Sequence, residues 1–385
     1  MITLTTTAEL AAFCAAARQT DYVTIDTEFL RERTYYSKLC LVQLAYRGDG
    51  ESDAVLVDPL VGEMSLEPLY DLFADSSVVK VFHAARQDLE IFFFDDGGFP
   101  DPLFDTQVAA MVCGFGEQVG YETLVKRIAK AQVDKSSRFT DWSRRPLSDA
   151  QKAYALADVT HLREIYEYLS AELERTDRAR WVREELQGLV DPEVYVTRPE
   201  EAWKRVKTRT TSARFMAMVQ MLAAFRETYA QSNNVPRNRV FKDDVLLELA
   251  STKPRNPADL KKSRLLQREA RKGDISEGIL AAIEKGAAMP SDSAPRPEKG
   301  MDRQQVNPAL ADLLRVLLKA KAETAGVAQK LIATASDLDA IAAGAREGLA
   351  LRGWRAEVFG DDALRLCAGE IGLAAQEGSV RIVEL

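Results

Sequence analysis

The chain has 385 residues, 46% hydrophobic and 29% charged, with a formal net charge of −8. That length suffices for two or three domains whose cores need no disulfide or metal, and the balance excludes a collagen, a disulfide-stapled mini-protein and a wholly disordered chain. Four dispersed cysteines without a CxxC pair argue against a zinc knuckle, and two histidines, His83 and His161, are too few for chemistry built on several imidazoles.

Residues 10–17 read as a short apolar helix. Residues 22–29 alternate and are rich in β-branched side chains, which predicts a strand. Residues 39–46 and 54–57 predict two more, the second ended by Asp58 and Pro59. A helix over 66–73, a buried strand over 78–82, a helix over 84–94, a strand over 103–105 and a helix from Thr106 follow. This alternation predicts an α/β domain around a mixed five-stranded sheet. Ser148 and Gln151 have capping-box spacing and open a helix running towards Leu173, and residues 174–190 read as another. Pro192 and Pro199 punctuate a linker. Residues 203–285 read as helical with a break at Asn233–Pro236. Residues 288–305, rich in Pro, Ser and charge, read as a flexible linker, and 307–385 again as mostly helical, ending in a short strand near 379–383. The expected domains are therefore 1–173, 203–287 and 306–385, joined by a helical linker at 174–202 and a flexible one at 288–305. Cutting after Leu189 is expected to leave the first domain's chemistry intact.

The charge is uneven. Residues 201–274 hold 17 Lys+Arg against 8 Asp+Glu, a net of +9 that leaves −17 for the rest. A basic middle in an acidic chain reads either as a dock for a polyanion or as a solvated face. No basic leader precedes the first apolar residues, and no stretch approaches the roughly 18 apolar residues of a membrane span. The expected setting is the cytoplasm, without membrane contact.

Asp26 and Glu28 stand two apart on a predicted strand, so both carboxylates leave one face. They repel each other there, and hard divalent cations such as Mg²⁺ or Mn²⁺ remove that repulsion. Alone, the pair also reads as an exposed strand end. Asp88 opens the helix after the strand at 78–82, and Asp158 lies one turn beyond Tyr154 on the helix opened by Ser148, with phenol and carboxylate on one face. If the first strand is central, four carboxylates converge in the layout that holds two cations roughly 3.5–4 Å apart and cleaves phosphodiesters. Tyr154 would orient the attacking water, since a phenol titrates near ~10.

Three blocks, residues 24–35 (TIDTEFLRERTY), 82–90 (FHAARQDLE) and 134–159 (DKSSRFTDWSRRPLSDAQKAYALADV), resemble in order and spacing the ribonuclease D family. These are 3′→5′ exoribonucleases of the DEDD superfamily, tyrosine subgroup. The resemblance implies a DnaQ-like (ribonuclease H-like) fold and makes Asp26, Glu28, Asp88 and Asp158 metal ligands for two divalent cations, with Tyr154 positioning water. Members that use histidine for that task carry it five residues before the last Asp, where Ala153 stands here. Residues 203–207 and 234–250 resemble an HRDC domain, a small helical nucleic-acid-binding module, and 307–385 a second, divergent one. One departure is Ser37, where members usually carry proline. The implied activity is trimming of structured RNA such as tRNA precursors from a free 3′ end, by a monomer without a nucleotide cofactor. A DNA 3′→5′ exonuclease and a non-catalytic nucleic-acid-binding adaptor are the competing readings. Expected phosphate contacts are Lys204, Arg205, Lys207, Arg209, Arg237, Arg239 and Lys242.

Other features weigh less. His83 is expected to pack at a strand end and His161 on a helix surface. Asp105 reads as a helix N-cap rather than a fifth acid, and Phe92–Phe94 as core. Gly114–Gly120 has the wrong spacing for a dinucleotide loop.

Overall fold

The computed structural model describes every residue except 49, 135, 211 and 297–305. The chain forms two compact units, one of residues 1–28, 39–191 and 302–385, the other of residues 29–38 and 192–301.

In the first unit the strands β1 (Ile2–Leu4), β2 (Tyr22–Leu30), β3 (Lys38–Tyr46), β4 (Ala54–Val57), β5 (Val79–Phe82) and β6 (Leu103–Asp105) form one sheet in the order β1-β4-β3-β2-β5-β6. It is mixed, as expected. β4 pairs antiparallel with β3 and parallel with β1, while β2–β5 and β5–β6 are parallel. Six strands correct the expected five. Ile2–Leu4 is three residues long, too short to show an alternation, and is recognisable through its pairing with Val55–Val57.

The helices are α1 (Thr7–Ala17), α2 (Glu67–Phe73), α3 (Arg86–Asp96), α4 (Thr106–Val112), α5 (Tyr121–Leu124), α6 (Asp149–Arg175) and α7 (Ala179–Gln187). The capping box of α6 forms as its spacing implies. Gln151 N donates to Ser148 Oγ at 3.2 Å, and Ser148 N donates to Gln151 Oε1 at 3.0 Å. β2 is internal to the sheet. Val23 and Ile25 on one face are wholly buried, while Thr24, Asp26 and Glu28 leave the other. The buried Thr24 hydroxyl lies 2.9 Å from the carbonyls of Ala45 on β3 and of Val159 on α6. This contact fixes α6 across β2 one residue from Asp158.

The C-terminal residues belong to the same unit. Leu314, Leu317, Trp354, Phe359 and Ile371 share one apolar core with Ala109, Ile165, Leu169 and Leu186. Trp354, wholly buried, stacks on Trp181 with ring centroids 4.6 Å apart, and its indole N–H donates to Glu185 at 3.0 Å. Gly114 has φ +78°, and a Cβ there would stand 2.6 Å from the Gly326 carbonyl. Gly114 thus serves a close backbone approach. The region is helical except for an antiparallel hairpin, β7 (Ile371–Gln376) and β8 (Ser379–Glu384). The strand expected near 379–383 has a partner whose Gly372, Ala374 and Ala375 carry little strand propensity.

In the second unit α8 (Ala213–Ser232) and the helices Asp243–Thr252 and Gly273–Ala288 enclose Leu222, Leu246, Leu249 and Ile279. Among the described residues no helix is long and apolar enough to cross a membrane.

The shared core alters one expectation. Cutting after Leu189 strips Leu314, Leu317, Trp354 and Phe359 from the apolar surface of α4, α6 and α7. The truncated chain should aggregate or melt well below the full chain. Trp354→Ala should destabilise the first unit by about 3–5 kcal/mol. Calorimetry of the full-length variant measures this, and an unchanged transition would contradict a common core.

Candidate active site

The site is built on the end of β2. One carboxylate oxygen from each of Asp26, Glu28 and Asp158 lies within 4.8 Å of the others. Strand alternation sends Asp26 and Glu28 to the α6 face, and α6 brings Asp158 to meet them. Asp88 is placed differently. Thr27, which points to the opposite face of β2, donates a short hydrogen bond from its hydroxyl to Asp88 on α3. Three of the four expected acids are thus gathered directly. The fourth, Asp88, is held by Thr27 close enough that its charge acts on Asp26 and Glu28.

Asp105 is the N-cap of α4, accepting from Gln107 N at 2.7 Å. It also accepts from the amides of Ala84 and Ala85 at 3.1 and 2.8 Å. It therefore holds the turn that starts α3 and aims Asp88, and is no fifth member of the cluster. His161 sits on the α6 surface, 3.7 Å from Glu164. Phe92 is core, whereas Phe94 is 39% exposed.

Beside the acids opens a cleft of about 390 Å³ lined by Asp26, Asp158, Tyr154, Tyr121, His83 and Arg138, among others. Tyr154 donates its hydroxyl to Asp158 one turn on. Its ring lies 6.1 Å from that of Trp142, in the segment before α6. That segment is anchored by Arg145, whose Nη2 reaches Asp58 Oδ1 at 2.6 Å and Cys40 O at 2.7 Å. Tyr121 donates to Ala157 O at 2.8 Å, and its ring centroid is 5.6 Å from that of His83. His83 therefore lines the cleft instead of merely packing at a strand end. Its Nδ1 is 3.0 Å from Thr106 Oγ1, whose proton goes to Phe82 O. Nδ1 must then carry the hydrogen, and Nε2 is left as an acceptor. Burial lowers the His83 pKa and keeps the ring neutral.

Arg138 and Tyr121 escaped the sequence reading. Arg138 stands inside the block 134–159, and it is the nearby cation that opposes the rise in the pKa of Glu28 and Asp158. Burial is the larger effect. Together with repulsion from Asp158 and Asp88 it pushes Glu28 up to about 9, and burial raises Asp88 and Asp158 to about 7. Asp26 is raised well above the usual carboxylate range by burial and then by Asp158, Asp88 and Glu28. Tyr154 is also raised, by burial and by Asp158, so its hydroxyl stays protonated. A donor set of carboxylate oxygens with unrelieved repulsion fits hard divalent cations.

In the second unit Arg237 is not free for phosphate. Its Nη2 donates to Glu227 Oε1 at 2.7 Å and to the Tyr35 hydroxyl at 3.0 Å, and Glu227 is 1% exposed. Asn234 Oδ1 also accepts from the amides of Tyr35 and Tyr36, each at 3.0 Å. Lys204 pairs with Glu201 at 2.8 Å. Arg205, Lys207, Arg209, Arg239 and Lys242 are exposed.

Residues 1–174 match the 3′-5′ exonuclease family and residues 215–283 the HRDC domain. A protein of Jannaschia sp. (strain CCS1) named Ribonuclease D is 68% identical over 383 residues, covering 100% of this chain and 99% of the relative. Another of that name, from Granulibacter bethesdensis, is 46% identical over 383 residues, covering 99% and 96%. The crystal structure of Escherichia coli RNase D, an exoribonuclease involved in structured RNA processing, matches with a TM-score of 0.81 at 30% identity, over 96% of this chain and 98% of that one.

The raised carboxyls make the metal-free protein sensitive to pH. They bind protons more tightly folded than unfolded. Their stabilising share is complete below about pH 4, where free carboxyls titrate. It is lost as the pH rises through about 7 at Asp88 and Asp158 and about 9 at Glu28. In chelator the melting temperature should therefore fall from pH 5 to pH 9. Asp26→Asn should raise it at pH 8, by roughly 2–4 °C for each kcal/mol of repulsion removed. Equal melts for the two proteins across that range would refute the repulsion.

Proposed function

Because the chain belongs to the ribonuclease D family and is a 3′→5′ exoribonuclease, we propose that it trims the 3′ ends of structured RNA, tRNA precursors among them. It would release nucleoside 5′-monophosphates one at a time. The observation that carries the chemistry is the meeting of Asp26, Glu28 and Asp158 at the edge of an open cleft. The naming of the Escherichia coli relative as a processor of structured RNA supports the substrate class.

Asp26, Glu28, Asp158 and Asp88 would hold two divalent cations, Mg²⁺ or Mn²⁺. Such a pair supplies a nucleophilic water at neutral pH and stabilises charge on the leaving oxygen. The protein's own groups do the positioning. Tyr154, protonated and hydrogen-bonded to Asp158, places a hydroxyl where water approaches. Arg138 sets a positive charge beside the acids, suited to a phosphate oxygen. His83 and Tyr121 wall the cleft, and the free Nε2 of His83 can accept a hydrogen bond from a sugar hydroxyl. In the second unit the exposed Lys207, Arg209, Arg239 and Lys242 remain candidate phosphate contacts, with Lys204 and Arg205 beside them. A monomeric state and a cytoplasmic setting complete the reading, with 1–173, 203–287 and 306–385 as the domains and the third docked on the core of the first.

A 5′-labelled single-stranded RNA should shorten in one-nucleotide steps with Mg²⁺ or Mn²⁺, and chelator should stop it. Asp26→Asn should abolish shortening while the fold persists, and near-normal hydrolysis by this variant would remove Asp26 from the site. Tyr154→Phe should lose about 10²–10⁴-fold in rate, the range for one group aiding proton transfer, with metal affinity held. Calorimetry showing metal binding lost in Tyr154→Phe would make the tyrosine part of the metal scaffold instead.

A further inference from the structure

Residues 126–145 hold seven cationic and two acidic side chains, a second basic run in a chain whose net charge is negative. Its first part is built into a surface. After α5 the backbone widens into one π turn, Val125–Ala129. Val125, Ile128 and Ala129 pack into the shared core. Lys126, Arg127 and Lys130 are exposed, Lys130 Nζ donates to the Arg127 carbonyl at 2.6 Å, and among the described residues none of the three forms an ion pair.

These cations edge an open pocket of about 570 Å³ whose remaining lining includes Phe115 and Tyr168. The Arg127 guanidinium lies 4.4 Å over the Phe115 ring. Tyr168 meets Phe115 edge-on with centroids 6.0 Å apart and is itself 47% exposed. Phe115 is thus held between a cation and a second ring, and the Tyr168 ring stays open to solvent. Unpaired cations beside an exposed aromatic ring are what a single strand requires. Phosphates are neutralised along the backbone, and a base stacks on the ring whatever its identity.

Position favours RNA over an acidic protein segment. Tyr121, Glu122 and Thr123 line the catalytic cleft, and Lys126 to Lys130 line this pocket. From Thr123 to Ala129 one continuous helical segment advances at most about 9 Å, since a π turn rises less than the 1.5 Å per residue of an α-helix. A strand whose 3′ end lies in the cleft and that leaves along this segment would reach the pocket within a few nucleotides.

We propose that the pocket formed by Lys126, Arg127, Lys130, Phe115 and Tyr168 is an RNA subsite of the exonuclease unit that holds the single strand 5′ of the nucleotide in the cleft. The proposal rests on the exoribonuclease activity and adds a second contact to it.

The test is direct binding, on an Asp26→Asn background so that the RNA survives. Fluorescence anisotropy compares single strands of about four and about sixteen nucleotides, spanning the site sizes of single-strand binders, across a salt series. Lys126→Ala combined with Lys130→Ala should weaken the longer RNA about tenfold or more. It should also flatten the slope of log K against log salt by about 1.4, at about 0.7 per phosphate contact. Tyr168→Ala should lose about tenfold on the longer RNA, and Tyr168→Phe, which keeps the ring, should restore it. Melts matching the parent verify the fold. Variants that bind the longer RNA with the parent's affinity and salt slope overturn the subsite, as do variants that lose affinity for polyglutamate instead of RNA. A parent that binds no RNA overturns the exoribonuclease reading and the subsite together.

Discussion

Mutual repulsion of carboxylates at the end of β2 is the constraint around which the first unit is organised. Asp26, Glu28 and Asp158 are half-buried with carboxylate oxygens within 4.8 Å of one another, and Asp88, held by Thr27, adds its charge to theirs. No isolated fold would gather them, because each charge raises the others' pKa and burial adds to the effect. The surrounding bonds resist that repulsion. Thr24 ties α6 to β2 and β3. Asp105 pins the turn before α3, and Thr27 holds Asp88. Each lies one or two steps from an acid and contributes direction rather than charge.

α6 carries this arrangement into the rest of the unit. Its first turns present Tyr154 and Asp158 to the cleft. Further along, Ile165 and Leu169 enter the core that also holds Leu314, Leu317 and Trp354. A helix with a buried face from Ala155 to Leu173 is a rigid support for the carboxylate it carries. The C-terminal residues therefore bear on the site through packing, in addition to any part they take in binding RNA.

The catalytic elements were legible in the sequence because each has a local signal. β2 alternates, the acids fall two apart on it, and Ser148 and Gln151 write the start of α6. What was missed depends on contacts distant in sequence. β1 and β7 are too short or too poor in strand formers to show a period without their partners. Arg237 looked like a phosphate contact because its partner Glu227 lies across a helix turn and a loop, and Tyr35 lies some two hundred residues away. Asp88 was expected among the other acids, and its hydrogen bond from Thr27 is a contact between β2 and α3 that no local pattern announces. The basic run at 126–145 was eclipsed by the larger one at 201–274, although it follows directly on residues that line the cleft.

If divalent cations relieve the raised carboxyls, metal binding must displace their protons. Calorimetric titration of the metal-free protein with Mn²⁺ at pH 7, in two buffers of different ionisation enthalpy, counts the protons displaced on binding. With Glu28 at about 9 and Asp88 and Asp158 at about 7, binding should release between one and three protons per chain, and Asp26→Asn should lose most of the binding. Binding without proton release, or no binding at all, would contradict the claim.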